Sequence, residues 1–220
     1  MRYFWVIMKS VSPLLLAALL LTGCQSAYYN TMEKVGYHKR DILVERVSKA
    51  RDAQQEGKEQ FQSALERFSN VLDFKGGKLE EKYKKLNDEY EASEDKADQV
   101  RDRIDAVEDV AEALFEEWEE ELGQYTSATL KRDSERKLQQ TRSRYKKLIA
   151  AMQQAEKKMD PVLNAFKDQV LYLKHNLNAK AIISLQKEFK SVKSNIAALV
   201  KDMERSISEA DAFIKDIGTQ

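Results

Sequence analysis

The chain has 220 residues, with 37 basic and 37 acidic side chains, two prolines, seven glycines and a mean hydropathy of −0.62. This length suits one domain, and the balanced charge lacks the basic excess that phosphate-binding proteins carry, so we expect no nucleic-acid partner. Few helix breakers among many Ala, Glu, Lys and Leu favour long helices over sheets. The single cysteine excludes an internal disulfide and a Cys-x-x-Cys metal or redox site.

Residues 1–23 have the parts of a secretory signal peptide. Arg2 and Lys9 supply positive charge, and residues 11–21, VSPLLLAALLL, form an apolar run too short to span a bilayer comfortably. The run ends in LTGC, with the cysteine at Cys24, and this motif resembles the lipobox of bacterial lipoproteins. In that family the thiol receives diacylglycerol, a peptidase cuts before the cysteine, and the new amino group is acylated. The resemblance implies that Cys24 is a lipidation site that anchors the protein to a membrane.

Two features refine this interpretation. Gln25 stands where aspartate favours inner-membrane retention in enteric-type bacteria, so the resemblance implies an outer-membrane protein facing the periplasm if the cell has two membranes. The first seven residues, MRYFWVI, are unusually aromatic for a signal, so Met8 is an alternative start. The competing interpretation of Cys24 is a cysteine that lies there by chance.

The cleaved signal, residues 1–23, is followed by an expected lipidated tether, residues 24–40, and then by a helical domain, residues 41–220. A first helix is predicted from Asp41, which is a suitable N-cap. Its stripe is the least regular of the chain, because Gln54 and Gly57 occupy two of its positions. Paired glycines in DFKGGK, residues 73–78, predict a turn. This segment does not have the spacing of a phosphate-binding Walker A loop.

The second helix carries the clearest pattern. Its apolar positions follow a spacing of four, three, four, three without a slip, which is the heptad pattern of coiled coils. At 1.5 Å per residue the helix is about 60 Å long. Gly123 predicts its end, and Ser127 predicts the N-cap of the next helix. The stripe consists of Leu79, Tyr83, Leu86, Tyr90, Ser93, Ala97, Val100, Ile104, Val107, Ala111, Leu114 and Trp118.

The remaining residues repeat this pattern from Leu138 to Leu173 and from Ile182 to Ile217. Pro161 falls inside the first of these stripes, where proline should interrupt a helix. Because the phase continues across it, we expect either a kinked rod or two helices stacked end to end. Asn178 is the predicted N-cap of the last helix.

Short turns between long helices favour neighbours that run in opposite directions. The acidic residues 105–121 would then lie beside the basic residues 131–147, and a symmetrical turn would place Glu108 near Arg142 and Glu112 near Leu138. The seam mixes aromatic and small residues, which favours a bundle within one chain over a parallel dimer. The sequence predicts an all-α fold, an elongated antiparallel helical bundle or coiled coil of three to four long helices. A weak homo-oligomer stays open.

No residues form a recognisable catalytic, cofactor or metal site. His38 lies in the expected tether and His175 in an expected turn, and neither has a second His or Cys nearby. Carboxylate pairs such as Glu108 and Glu112 are frequent at this charge density and face water. No segment has a good match to an amphipathic helix with a basic polar face, the type that lies on membranes.

With its lipobox motif and its heptads, the whole chain resembles an uncharacterised family of proteobacterial coiled-coil lipoproteins, a domain of unknown function. The segment KLEEKYKKLNDEYEASEDKADQVRDRIDAVEDVAEALFEEWEEEL carries the resemblance. It implies no known activity and no functional residues. We therefore expect a structural or interaction scaffold of the cell envelope, with an unknown envelope protein as partner. The alternative is a membrane-binding envelope-stress protein similar in spirit to phage-shock-type helical proteins; an enzyme is disfavoured.

Overall fold

The protein is all-α, as the sequence predicts. The computed structural model describes residues 38–73 and 78–218, and these residues contain five helices and no strand. The helices are α1, Lys39–Leu72; α2, Leu79–Leu122; α3, Ala128–Lys157; α4, Met159–His175; and α5, Ala179–Gly218. The chain divides into two units, Met1–Ile42 and Leu43–Gln220, and the described residues of the first unit are 38–42.

The helix boundaries follow the predicted capping residues closely. The Ser127 hydroxyl accepts a hydrogen bond from the Leu130 amide at 3.4 Å, and the Asn178 side-chain oxygen accepts one from the Ala181 amide at 3.1 Å. Gly123 is the C-cap of α2, as expected. The first helix begins at Lys39, two residues before the predicted N-cap Asp41. The paired glycines of the predicted turn lie outside the described residues.

The run that contains Pro161 consists of two helices stacked end to end, the second of the two predicted forms. Lys158 separates α3 from α4 with φ −87° and ψ −10°, so the backbone stays in the right-handed helical region. Pro161 occupies the first turn of α4, where an amide hydrogen has no intrahelical acceptor and a proline is tolerated. The apolar stripe continues in phase, since Ala155, Met159 and Val162 are all buried.

The predicted stripes form the core. Every stripe position of α1 within residues 47–71 is buried, including Gln54 and Gly57. Nine of the twelve stripe residues of α2 are buried, and Tyr83, Tyr90 and Trp118 are half-buried. In the later helices only Tyr145 and Phe189 of the predicted stripes are half-buried rather than buried. The 4,3 spacing therefore identified the residues that leave water on folding.

Helix α1 lies against both α2 and α5. The Arg46 guanidinium donates to the Ala106 carbonyl of α2 at 2.7 Å, and the Gln186 side chain of α5 donates to the Leu72 carbonyl at 3.2 Å. A Cβ added at Gly57 would lie 3.3 Å from Met203 of α5 and 3.4 Å from α2, so the small residue permits a close approach. Helices α3 and α4 each contact α2 and α5.

The predicted pairing of α2 with α3 is wrong in detail. Arg142 bonds Glu119 instead of Glu108, and Glu108 accepts a hydrogen bond from Gln153. The physical reason is that the apolar contacts, rather than equal distances from the turn, decide which positions meet. The Phe115 and Tyr145 rings pack edge to face with centroids 5.4 Å apart, in the same register as the bond between Glu119 and Arg142.

Candidate functional site

The predicted lipidation site, Cys24, lies outside the described residues, as do the predicted signal, residues 1–23, and residues 24–37 of the predicted tether. Met8, the alternative start, and Gln25 are in the same part of the chain. The anchor therefore stays a prediction from the sequence. The sites that the structure defines lie in the helices.

The two histidines occupy simple positions. His38 is exposed and precedes α1, with its carbonyl accepting hydrogen bonds from the Asp41 and Ile42 amides. His175 is exposed and is the last residue of α4. Within the described residues no three His, Cys, Asp or Glu side chains are grouped so that they could hold a metal ion.

An acidic region lies where α2 faces the junction of α3 and α4. Burial raises the pKa of the Glu156 carboxyl; Arg101 opposes this rise, and Asp105, Glu108 and Asp160 add to it. Arg101 also donates to Asp160 at 2.5 Å. The Arg101 guanidinium thus lies among several carboxylates and forms ion pairs with Asp98 and Asp160.

Asp202 of α5 is a buried carboxylate that forms ion pairs and a hydrogen bond with neighbouring side chains. It is 5% exposed and accepts hydrogen bonds from Lys158 at 2.5 Å and from Gln154 at 3.3 Å, while Arg205 lies 3.2 Å away. Burial alone would raise the pKa of Asp202, but the Lys158 ammonium and its neighbours outweigh burial and hold the pKa below its ordinary value. Since Lys158 is the residue between α3 and α4, this ion pair fixes the junction to α5.

Four buried polar side chains, Gln54, Thr141, Gln169 and Ser206, have at least one polar atom without a hydrogen-bond partner among the described residues, and two of them, Gln54 and Ser206, lie close together. Both polar atoms of Gln54 and the hydroxyl of Ser206 are fully buried and unpartnered. They lie at corresponding levels of α1 and α5, because Gly57 contacts Met203 three residues away in each helix. Buried polar groups without partners cost stability, so this layer weakens the core rather than strengthening it.

The turn between α4 and α5 carries a surface of mixed apolar and basic character, which we call the α4–α5 patch. Among the described residues, four of the six exposed large apolar side chains belong to it. A cleft of about 430 Å³ joins the two helices there, with Tyr172 of α4 and Lys187 of α5 in its wall. The patch consists of Leu171, Tyr172, Leu177 and Ile183 together with Lys174, Lys180, Lys187 and Lys190.

Sequence reasoning missed this patch and also missed Asp202. The signal for the patch was present, because its apolar residues are off the 4,3 stripe while its lysines have few acidic neighbours. The sequence does not distinguish Asp202 from the exposed carboxylates, because it precedes the stripe residue Met203 and lies off the stripe. The expectation that no segment matches an amphipathic helix with a basic polar face stays a prediction, and the first turns of α5 carry exposed lysines beside the exposed Ile183.

Together these features define an all-α protein whose helices are held by long apolar stripes. The profile of the family described as "Protein of unknown function (DUF2959)" matches residues 28–217, so the chain belongs to that family. No curated protein and no solved structure matches the chain. Membership agrees with the predicted domain of unknown function, whereas the lipobox and a proteobacterial origin stay predictions. Of the helices described, none is both long enough and apolar enough to cross a membrane.

Proposed function

We propose that this protein is a lipid-anchored coiled-coil protein of the cell envelope that acts as a structural or interaction scaffold without catalytic activity. Cys24 carries the anchor, and the protein faces the periplasm from the outer membrane. The observation that carries the proposal is the LTGC motif at the end of an apolar run, followed by a chain of long helices. Two or three acyl chains give stable attachment, whereas one gives only marginal attachment.

We further propose that the helices form an elongated antiparallel bundle. As the residue number increases along α1, the number of the contacting residue in α2 decreases: Arg46 bonds Ala106 and Gln60 bonds Glu89. The same holds for α2 and α3, where Glu119 meets Arg142 and Glu108 meets Gln153. Helices α1 and α5 also run in opposite directions, since Gly57 lies near Met203 and Leu72 accepts a hydrogen bond from Gln186. Opposed directions and heptad stripes together support this arrangement.

A scaffold role is supported by where the side chains lie. The large apolar residues mostly fill the core, and the charged residues mostly face water along helices of up to 44 residues. Such a surface offers a long series of contact points to a partner. The groups with altered pKa values, Asp202 among them, have structural partners within the helices.

The anchor is tested by replacing Cys24→Ser in the full chain. We expect loss of radioactive palmitate labelling and loss of processing before residue 24, because the only thiol is removed. A matched control, Cys24→Ser with Ser26→Cys, restores a thiol two residues away and should stay unlabelled. Labelling that persists in Cys24→Ser would contradict the lipoprotein proposal.

The proposed membrane is tested at the next residue. In a two-membrane cell of the enteric type, Gln25→Asp should shift the protein from the outer-membrane to the inner-membrane fraction on a density gradient. Gln25→Asn is the matched control and should leave the distribution unchanged. An unchanged distribution of the Asp variant would count against outer-membrane sorting through this position.

The bundle is tested by disulfide trapping in a Cys24→Ser background. Glu108→Cys with Gln153→Cys should form an intramolecular disulfide if these positions meet within one chain, since Cα atoms must lie within about 7 Å. Glu108→Cys with Arg142→Cys is the control and should not crosslink. Disulfides found only between chains would replace the bundle with a dimer.

The scaffold role is tested by crosslinking the full protein in cells, followed by mass spectrometry. A scaffold should give reproducible crosslinks to one or a few envelope proteins. The membrane-coat alternative should give mainly self-crosslinks, and that result would overturn the scaffold proposal.

A further inference from the structure

We propose that the α4–α5 patch docks on an anionic phospholipid bilayer surface. This inference goes beyond the proposed anchor and does not depend on it. It rests on four exposed apolar side chains and a group of exposed lysines that share one turn and the two helices beside it.

The charge of this part of the chain is one-sided. Residues 167–193 contain six lysines and only two acidic residues, Asp168 and Glu188, and all six lysines are exposed. None of the six forms an ion pair with a carboxylate of the described residues. The two acids line the cleft beside Lys187 and reduce its local charge without cancelling the excess. A Lys-rich surface near anionic lipid gains binding free energy with each cation.

The apolar members of the patch suit the depth of a headgroup layer. Ile183 is 57% exposed and Leu177 is 44% exposed, although side chains of this type are usually removed from water. Tyr172, 41% exposed, joins an apolar ring to a polar hydroxyl, and such side chains are enriched at the membrane interface. Lysine stems can lie along apolar groups while the ammonium stays in water.

The α5 members of the patch share one face of that helix, so a flat surface can reach these four residues together. Lys180, Ile183, Lys187 and Lys190 are spaced by three, four and three residues, which places them on one face of the helix. The buried stripe of α5 lies on a different face, with Ile182 and Leu185 in the core. The first turns of α5 therefore combine a core-facing apolar stripe with a basic face that also presents an exposed isoleucine.

The combination of lysine and isolated apolar side chains favours a bilayer over a protein partner. Protein interfaces concentrate aromatic residues, Met and Arg and are depleted in Lys, whereas a fluid anionic surface needs no matching shape. The patch has no arginine, and its members are separated along two helices and a turn. A second copy of this chain would have to place the same lysines against one another, which is unfavourable.

The test places a fluorophore at one position of the full-length chain. Leu177→Cys in a Cys24→Ser background is labelled with an environment-sensitive dye and mixed with vesicles of phosphatidylcholine containing about 30% phosphatidylglycerol. We expect a blue shift and quenching by brominated lipid, both of which decrease as salt is added. Vesicles of phosphatidylcholine alone should give neither signal.

The controls separate the patch from general adsorption. A dye at Leu130→Cys, an exposed apolar position of α3, should stay unshifted on the same vesicles. In the chain that carries the dye at Leu177→Cys, the double change Lys187→Gln and Lys190→Gln should weaken binding to the vesicles by about 30-fold, because two cations are removed. Lys146→Gln with Lys147→Gln, two exposed lysines of α3, should leave binding unchanged. Circular dichroism verifies that each variant is folded.

Each other outcome overturns the proposal. No shift at Leu177 on anionic vesicles, or an equal shift on neutral ones, removes the charge-dependent docking. An equal shift at Leu130 assigns the signal to adsorption of the whole chain. A shift without vesicles that grows with protein concentration assigns the patch to a second copy. Because Cys24 is absent from every chain in this test, a failure here leaves the lipid anchor unaffected, and the palmitate experiment is independent of this result.

Discussion

The core beside the C-terminal end of α1 and the turn between α2 and α3 are held in different ways. In the first region Phe68 is fully buried and its ring lies 5.3 Å from that of Phe189 and 6.3 Å from that of Phe166, so side chains of three helices meet. In the second region no residue from 119 to 130 is buried. There the helices are joined by a hydrogen bond from the Trp118 indole to the Ser134 hydroxyl at 2.8 Å and by the pair of Arg142 with Glu119.

The difference indicates that the free energy of folding comes mainly from the buried aromatic contacts. Burial of apolar surface scales with area, and an aromatic side chain contributes more than an exposed ion pair does. We therefore expect unfolding to depend on the aromatic contacts near Phe68, while the α2–α3 turn can change with little loss.

The largest expected effect is that of Phe68→Ala. Removing a fully buried phenyl ring from a three-helix contact should lower the free energy of unfolding by about 3–5 kcal/mol. The matched change at the other region, Leu130→Ala, should stay within about 0.5 kcal/mol because Leu130 is 60% exposed. Urea unfolding followed by circular dichroism measures both. Similar losses for the two variants would contradict the contrast.

The next effect concerns Asp202, which lies between the two regions. Asp202→Asn removes the negative charge that Lys158 and Arg205 contact. Because hydrogen bonds to charged groups contribute about 1.5–3 kcal/mol, the free energy of unfolding should fall by about that amount. Glu204→Gln, a neighbouring exposed carboxylate of α5, is the control and should change stability much less. Urea unfolding at neutral pH measures both variants. Equal effects of the two would contradict a special role for Asp202.

The same carboxylate gives a pH dependence with a definite sign. The pKa of Asp202 is lowered in the folded protein, so the unfolded chain takes up the proton first as the pH falls. Its contribution is therefore present above the ordinary aspartate pKa of about 4 and is lost as the pH falls through the folded value. The free energy of unfolding of Asp202→Asn should fall less steeply than that of the natural chain in this acidic range.

A smaller effect is expected at the hydrogen bond of the α2–α3 region. Trp118→Phe removes the indole donor to the Ser134 hydroxyl, a hydrogen bond between neutral groups, so the loss should be about 1 kcal/mol. Ser134→Ala removes the acceptor instead. In a double-mutant cycle the two changes together should cost less than the sum of the single changes. Strict additivity would mean that the bond adds nothing to stability.

The smallest effect is expected for the exposed ion pair. The Arg142 guanidinium lowers the pKa of Glu119, yet the glutamate side chain is about half exposed and the pair is screened by salt. Glu119→Arg should shift the midpoint of urea unfolding less than any other variant above, and Arg142→Glu should partly restore it. A shift as large as that of Asp202→Asn would show that ion pairs stabilise this region substantially. Glu120→Arg, an exposed glutamate at the next position, serves as the control.

Much of the fold could be predicted, because heptad spacing reports directly on burial. The stripe of α2 was found without knowing its neighbours, and the caps at Ser127 and Asn178 follow from local hydrogen bonding. The pairing of α2 with α3 could not be found this way. It depends on which rings meet, here Phe115 and Tyr145, and exposed charges are too weak to decide it.

The sites were harder to predict than the helices. Asp202 is a surface residue by its sequence neighbours and becomes buried only because Lys158 and α3 lie beside it. The α4–α5 patch needs two helices and a turn to bring Tyr172 and Lys187 into one cleft, which a stripe within one helix does not reveal. Cys24 shows the opposite case, since its prediction is a local motif and needs no tertiary structure.

The break at Lys158 has a consequence for hydrogen–deuterium exchange. Pro161 has no amide hydrogen, so the Lys157 carbonyl lacks the donor that an uninterrupted helix would supply. Amides beside the junction can therefore open without any loss of the buried stripe, and deuterium should enter there sooner than in the middle of α2, whose 44 residues are continuous. Because Asp202 holds Lys158 in place, Asp202→Asn should quicken that local exchange before it affects exchange elsewhere in the helices.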